Sequence, residues 1–245
     1  AIGGKTGVNF PLPNNNKRDG AGHDTLGKNL IGAFWQPRGV FVDPQILTTL
    51  PERYRRAGLA ECIKHGVIAD ADLLQFIEAQ HTQIHALDMD SLTKLIARSA
   101  AIKARIVMED ERESGSRMTL NLGHTFAHAI EPIPELDLQH GEAVAIGLCA
   151  AMHVADVRGM VRREEAQRVR ELIETCGLPT QLSQPVEVDR LLRAMRVDKK
   201  RMNSRHRLIL PNGIGRVQVV DDVDDAELID AWRAVGADAE SSVSR

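Results

Sequence analysis

The sequence predicts a mainly α protein, with a helical domain over residues 51–245 behind a short β-containing stretch over residues 1–50. Three observations carry that expectation. The first fifty residues are rich in Gly, Asn and Pro, which interrupt regular structure and favour turns. From "TTLPERY" onward, successive segments space their apolar residues three and four apart, the period that gathers them on one face of a helix. After residue 50 the strand-like segment is "RLILPNGIGRVQVV", two short apolar runs around a turn, which reads as a single hairpin.

Each element follows in order. The chain opens on "AIGGKTGVNF", a glycine-rich turn; a domain rarely begins inside such a motif, so a further N-terminal part is expected. Residues 12–25, "LPNNNKRDGAGHDT", are polar and full of turn formers and predict a flexible loop. Residues 30–43, "LIGAFWQPRGVFVD", predict a strand, a turn at "QPRG" and a second strand around Val40, Phe41 and Val42. "PERYRRAGLAECIKHGVI" predicts a helix, with Pro and Glu in its first turn. "DADLLQFIEAQHTQIHAL" predicts a second, on Leu73, Leu74, Phe76 and Ile77. A third, capped by Asp90 or Ser91, buries Leu92, Leu95, Ile96, Ser99, Ile102 and Ile106. After a break at Gly115, "MTLNLGHTFAHAIE" predicts one continuous helix stopped by "PIP". "HGEAVAIGLCAAMHVADVRG" has so narrow a polar face that it predicts a buried central helix. Two more helices are expected near residues 162–176 and 186–195, then the hairpin, a last helix in "DDAELIDAWRAVGA" and a frayed tail.

Composition excludes several classes. A net charge of -3 without a basic stripe argues against nucleic acid or acidic lipid as a partner, and 3% aromatic residues leave little for stacking on bases. No apolar run approaches the roughly 20 residues of a membrane span, and no signal peptide is expected. Cys62, Cys149 and Cys176 are odd in number and far apart, which fits buried thiols in a reducing, cytoplasmic setting.

The chemistry concentrates in "LNLGHTFAHAIE". His124 and His128 stand four apart, so on a helix they share a face. The same spacing in "HTQIH", His81 and His85, lies in a Gln-rich helix end and reads as solvent-facing. Around His124 the neighbours are apolar, so polar side chains there would face something internal. His140, heading "HGEAVAIGL", and Glu61, in "AGLAECIKHG", are further candidates. Two histidines and a carboxylate suffice to hold zinc with an open position. Thr125 follows the first histidine where a zinc protease of the H-E-x-x-H type places its glutamate, so that chemistry lacks its general base. Candidate anion holders are Lys5 in "GGKTG", Lys28 and Asn29 in "LGKN", Lys64, Lys103, and the basic run over residues 196–207. On a continuous helix Arg117, Asn121, His124 and His128 would fall on one side.

These residues carry a resemblance. "GGKTGVN", "GKNLIGAF", "TLPERYRRAGLAECIKHG", "KARIVMEDERESGSRMTLNLGHTFAHAIE", "HGEAVAIGL" and "DKK" followed by "RLILP" look like the 3-dehydroquinate synthase family, over residues 2 to about 220. The resemblance implies the C-terminal helical metal-binding domain of a two-domain α/β + α enzyme. Residues 1–50 would be the remnant of its nucleotide-binding domain, and residues 51–245 the zinc- and substrate-binding domain. It implies that Glu61, His124 and His140 bind Zn2+, with Co2+ as a substitute, and that His140 also reaches substrate. Lys5, Asn29 and Lys64 would contact substrate or cofactor. Lys28 would lie by NAD, as would Ile46, Leu47, Thr48 and Thr49. Lys103, Arg117 and Asn121 would hold carboxylate and phosphate oxygens, and one of Lys199 and Lys200 would reach the phosphate. Glu113 and His128 would handle protons, in a catalytic set with Lys64, Arg117 and Asn121.

The implied reaction of this NAD- and zinc-dependent carbon–oxygen lyase is cyclisation of 3-deoxy-arabino-heptulosonate 7-phosphate to 3-dehydroquinate, a shikimate-pathway step. NAD+ removes a hydride, zinc acts as Lewis acid and template, phosphate leaves among several cations, and the hydride returns before an intramolecular aldol closure. His128 would relay protons. The resemblance also implies a homodimer.

Two departures bear on this. The N-terminal domain with its glycine-rich dinucleotide turn is not in the sequence, so the chain alone is expected to bind zinc but turn over poorly. Residues 13–25 are inserted between two site blocks, as a tolerated loop or a changed entrance. The rival readings are a sister sugar-phosphate cyclase such as aminodehydroquinate synthase, a metal-dependent polyol dehydrogenase, and an inactive helical binding module.

Overall fold

The computed structural model describes residues 8–11, 26–31, 39–110, 115–197 and 205–238. The chain forms two compact units, Ala1–Asp43 and Pro44–Arg245.

In the first unit β1 (Val8–Pro11) pairs antiparallel with β2 (Leu26–Ile31), in register Val8 with Ile31 and Phe10 with Gly27. The expected second strand around Val40, Phe41 and Val42 is not formed, and the expected turn at residues 36–39 lies mostly outside the described residues. Residues 39–43 hold no regular structure, and Phe41 is fully exposed beside exposed Val40 and Val42. An isolated strand is not stable without a ladder to join; β2 takes Val8–Pro11 as its partner, and Val40–Val42 has none among the described residues.

The second unit is mainly α. A 3-10 segment, Pro44–Thr49, leads into α1 (Glu52–Ala69), α2 (Ala71–His85) and α3 (Met89–Glu109). Asp70 ends α1 and caps α2, accepting from the Leu73 amide at 3.0 Å, and its two oxygens take Arg98 of α3 at 2.9 Å each. The cap of α3 is Asp88 rather than Asp90 or Ser91: its carboxylate accepts from the Ser91 amide at 2.9 Å. A capping side chain reaches the amide two or three residues on, so the cap precedes the first turn instead of sitting in it. Leu92, Leu95, Ser99, Ile102 and Ile106 are buried as expected, whereas Ile96 is half-buried. His81 and His85 are also half-buried instead of solvent-facing, with His81 Nδ1 turned onto the Glu78 carbonyl at 2.9 Å.

The largest correction concerns the expected helix over "MTLNLGHTFAHAIE". It is a 3-10 segment, Ser116–Asn121, a turn at Leu122 and Gly123, and then α4 (His124–Ile130). Gly123 adopts φ +76°, a left-handed conformation that no continuous helix admits, so the spacing of Arg117 and Asn121 from His124 is not a helical one. The turn lies in close contact with a neighbouring helix. A Cβ on Gly123 would lie 2.8 Å from the backbone nitrogen of Leu148 in α5 (His140–Val157).

Helix α5 is the centre of the unit, packed by α1, α4, α6 (Arg163–Thr175), α8 (Asp225–Ala234) and β3 (His206–Pro211). Its run of Ala, Gly, Val and Cys, buried from Ala143 through Met152, lets neighbours approach closely on all sides. Helix α7 (Val188–Val197) packs on α4 and α8, and the β3–β4 hairpin, β4 being Val217–Val223, packs on α5 and α1. Trp232 of α8 is fully buried, edge-on to Phe126 of α4 with centroids 5.1 Å apart, and its Nε1 faces Met195 Sδ at 3.3 Å. Among the described residues no helix is long and apolar enough to cross a membrane.

Candidate metal centre

Three helices meet at one point. Glu61 lies in the middle of α1, His124 is the first residue of α4, and His140 is the first residue of α5. One ligand atom from each lies within 4.8 Å of the others. Glu61 Oε1 stands 3.6 Å from His124 Nε2 and 3.4 Å from His140 Nε2. The two imidazole rings are edge-on with centroids 5.4 Å apart.

Each histidine is held from behind. His124 Nδ1 faces the Leu122 carbonyl at 3.2 Å, and His140 Nδ1 faces Glu131 Oε1 at 3.3 Å. A protonated Nδ1 with an acceptor leaves the Nε2 lone pair aimed at Glu61, the tautomer a metal ligand needs. This donor set, two imidazole nitrogens and one carboxylate, fits a zinc-like cation and leaves positions for exogenous oxygen.

Close backbone packing sets the spacing. Gly141, next to His140, lies against the backbone of Ala57: a Cβ there would be 1.9 Å from the Ala57 carbonyl oxygen. Ala57 and Glu61 stand one turn apart on α1, so this contact sits directly beside the carboxylate. A polar clasp closes the same junction. Arg53 donates through Nε and Nη2 to the two oxygens of Glu142 at 2.8 Å each, and through Nη1 to Asp137 at 3.0 Å. Glu142 also accepts from the Gln139 amide at 2.8 Å, so the first turn of α5 is tied to the first turn of α1.

The electrostatics favour a cation. Burial by itself would raise the Glu61 carboxyl, but His140, the Lys64 ammonium and His124 outweigh it and hold it well below the usual carboxylate range. Lys64 is itself buried, only 3% exposed, and its ammonium contacts Glu61 Oε2. Burial, then the field of Lys64, lowers His124 to about 4, which keeps it neutral and able to ligate at neutral pH. Glu131, then Glu61, raises His140 to about 9; a bound cation would take the place of that proton, because a ligating imidazole is neutral.

The other expected site residues distribute as follows. Lys64 joins the centre. His128 lies one turn along α4, its ring perpendicular to that of His124 with centroids 5.6 Å apart. Lys103 is half-buried; burial lowers its ammonium, and it lies within the fields of Glu61, Lys64 and Arg117. Asn121 ends the 3-10 segment beside α4 and is exposed. Ile46, Leu47, Thr48 and Thr49 form the 3-10 segment that packs on α3, with the Thr48 and Thr49 hydroxyls donating to the Gln45 and Ile46 carbonyls. Lys28 and Asn29 fall on β2 of the first unit. Lys5, Glu113, Lys199, Lys200 and the stretch 13–25 lie outside the described residues. Sequence reasoning missed Glu131, Arg53 and Glu142. Glu131 had a signal, seven residues after His124 and so near the same helix face; Arg53 and Glu142 are 89 residues apart and had none.

Comparison with known proteins adds the following. The 3-dehydroquinate synthase C-terminal family model matches residues 58–201, and the 3-dehydroquinate synthase N-terminal model matches residues 1–57. The 3-dehydroquinate synthases of Synechococcus sp. (strain CC9605) and Nostoc punctiforme (strain ATCC 29133 / PCC 73102) are 44% and 45% identical over 94% and 91% of this chain. The chain spans 58% of the length of each. Among solved structures, 2-epi-5-epi-valiolone synthase from Streptomyces hygroscopicus subsp. jinggangensis 5008, with NAD+ and Zn2+ bound, superposes with TM-score 0.76 at 26% identity, covering 85% of this chain and 58% of that one. A 2-deoxy-scyllo-inosose synthase complexed with carbaglucose-6-phosphate, NAD+ and Co2+ gives TM-score 0.74 at 25% identity, covering 84% and 59%.

Proposed function

The chain belongs to the 3-dehydroquinate synthase family, and from that premise we propose that it supplies the metal- and substrate-binding part of a 3-dehydroquinate synthase. The whole enzyme would convert 3-deoxy-arabino-heptulosonate 7-phosphate to 3-dehydroquinate with release of phosphate, using NAD and Zn2+. The observation that carries this reading is the convergence of Glu61, His124 and His140 beside the buried Lys64. Relatives at 41–45% identity share that name, whereas the valiolone and inosose synthases stand at 25–26%, which favours dehydroquinate as product.

Zinc, when bound, supplies Lewis acidity toward substrate oxygens. The chain's own residues do the rest. Glu61 stays ionised and balances the incoming cation. Lys64, Lys103, Arg117 and Asn121 hold the substrate's carboxylate and phosphate oxygens, where a partly desolvated ammonium acts more strongly than one in water. His128 exchanges protons beside them. Residues 1–50 carry contacts to the nucleotide, through Lys5, Lys28 and the segment from Ile46 to Thr49, and residues 51–245 form the catalytic helical domain. Lys199 or Lys200 reaches the phosphate, and Glu113 assists proton transfer. A cytoplasmic homodimer is the expected setting, which light scattering on the full-length protein checks.

The test is phosphate release from the heptulosonate with NAD+ and Zn2+, measured on this chain alone and with the N-terminal part of a relative supplied in trans. Release is expected only in the combination. Accumulation of NADH without phosphate would point to a dehydrogenase instead, and zinc binding with no turnover in any combination would sink the synthase assignment.

A further inference from the structure

We propose that Glu131 is a positioning residue of the metal centre, holding His140 through Nδ1 so that Nε2 faces Glu61; this rests on the metal reading above. His140 needs such a hold. It is the first residue of α5, its side chain is 48% exposed, and the next residue, Gly141, offers no side chain to pack against it. Its ring lies between two carboxylates, Glu61 Oε1 at 3.4 Å from Nε2 and Glu131 Oε1 at 3.3 Å from Nδ1.

The two carboxylates have different roles by geometry. The two nitrogens of an imidazole point in diverging directions, so one ring cannot aim both at the same ion. Nε2 faces the point where Glu61 and His124 converge, which leaves Glu131 behind the ring. There it accepts from Nδ1–H, orients the ring and makes Nε2 the more basic donor. The fold gives α4 two tasks. Its first residue, His124, is a ligand, and Glu131, just past its last turn, orients the other histidine; seven residues at 1.5 Å each separate them by about 10 Å, so one short rigid helix spans the site. Leu122 does for His124, through its carbonyl at 3.2 Å, what Glu131 does for His140.

The experiment uses the full chain. Zn2+ affinity is measured by competition with a chromogenic chelator, and the Co2+ form is followed by its visible absorption, for wild type, Glu131→Ala, Glu131→Gln and Glu61→Ala. Circular dichroism melts verify folding. Glu131→Ala should weaken Zn2+ binding by about 10–100-fold and change the Co2+ spectrum. Glu131→Gln keeps an acceptor of the same length and should recover most of the affinity. Wild-type affinity and spectrum in Glu131→Ala would overturn the proposal. So would a loss in Glu131→Gln as large as in Glu61→Ala, since Glu131 would then be a ligand. If wild type itself bound neither ion, the metal reading would fall, and this proposal with it.

Discussion

Replacing Gly141 with alanine tests whether backbone contact between α1 and α5 sets the metal centre. The added Cβ would lie 1.9 Å from the Ala57 carbonyl oxygen, 2.5 Å from its carbon and 2.7 Å from its Cα. All three are backbone atoms inside a helix, so no side-chain rotation relieves the contact. To reach even 3.0 Å from the oxygen, the two helices must separate by about 1.1 Å at this point. The separation acts directly on His140 and Glu61, whereas ligand positions tolerate only about 0.2 Å. Zn2+ affinity should therefore fall by at least about tenfold, as when the supports of a ligand are lost. Overpacking of this kind costs about 1–3 kcal/mol, and in a unit of this size that lowers Tm by roughly 2–12 °C. Gly58→Ala is the control: a Cβ there meets nothing within 4 Å, and removing a helical glycine should stabilise by about 0.5–1 kcal/mol. The assays are chelator competition and thermal melting. Unchanged zinc affinity and Tm in Gly141→Ala would refute the claim that this contact sets the ligand spacing.

Other outcomes follow from the same geometry. His124→Ala should empty the metal site, whereas His128→Ala should leave metal content intact and lower turnover of the complete enzyme; equal metal loss in both, read by elemental analysis, would make the two a matched ligand pair. His65 is buried, its Nδ1 is 2.6 Å from Ser99 Oγ, and burial followed by the field of Lys64 lowers it to about 3. Its folded value lies below the ordinary 6.5, so the unfolded chain binds the extra proton first, and stability is lost as pH falls from about 6.5 toward 3. Between pH 6 and 4, denaturation curves of wild type should lose about 1.4 kcal/mol more per pH unit than those of His65→Asn; parallel curves would contradict a neutral buried His65. Asp70→Ala removes the α2 cap and the partner of Arg98, and urea unfolding should show a loss of about 1 kcal/mol, most of it from the cap because the ion pair is partly exposed.

Much of this was legible in one dimension because it depends on local spacing. The narrow polar face of "HGEAVAIGLCAA" announces a central helix, since a helix apolar all round must be covered all round. The hairpin at "PNGIG" and the last helix are equally local. What failed shows where locality ends. "MTLNLGHTFAHAIE" has helical spacing throughout, yet Gly123 turns left-handed where α5 passes so close that a Cβ would meet its backbone. Val40, Phe41 and Val42 have strand-forming side chains and no strand, because a strand needs a ladder and these residues pair with none of the described strands. His81 and His85 share the spacing of His124 and His128 but lie on α2, outside the cluster of Glu61, His124 and His140.

The sequence by itself determined the family, the helical class and the identities of Glu61, His124 and His140 as candidates, because residue type and motif order are one-dimensional properties. The resemblance already set His124 apart from His128; the tertiary structure supplies the geometry of that difference. Nε2 of His124 faces a carboxylate from α1 and an imidazole from α5, groups brought together from residues 61, 124 and 140. That meeting depends on how closely three helix backbones approach, which is a matter of packing between segments distant along the chain. The Arg53–Glu142 clasp, between residues 89 apart, exists for the same reason, and no spacing along the chain specifies it.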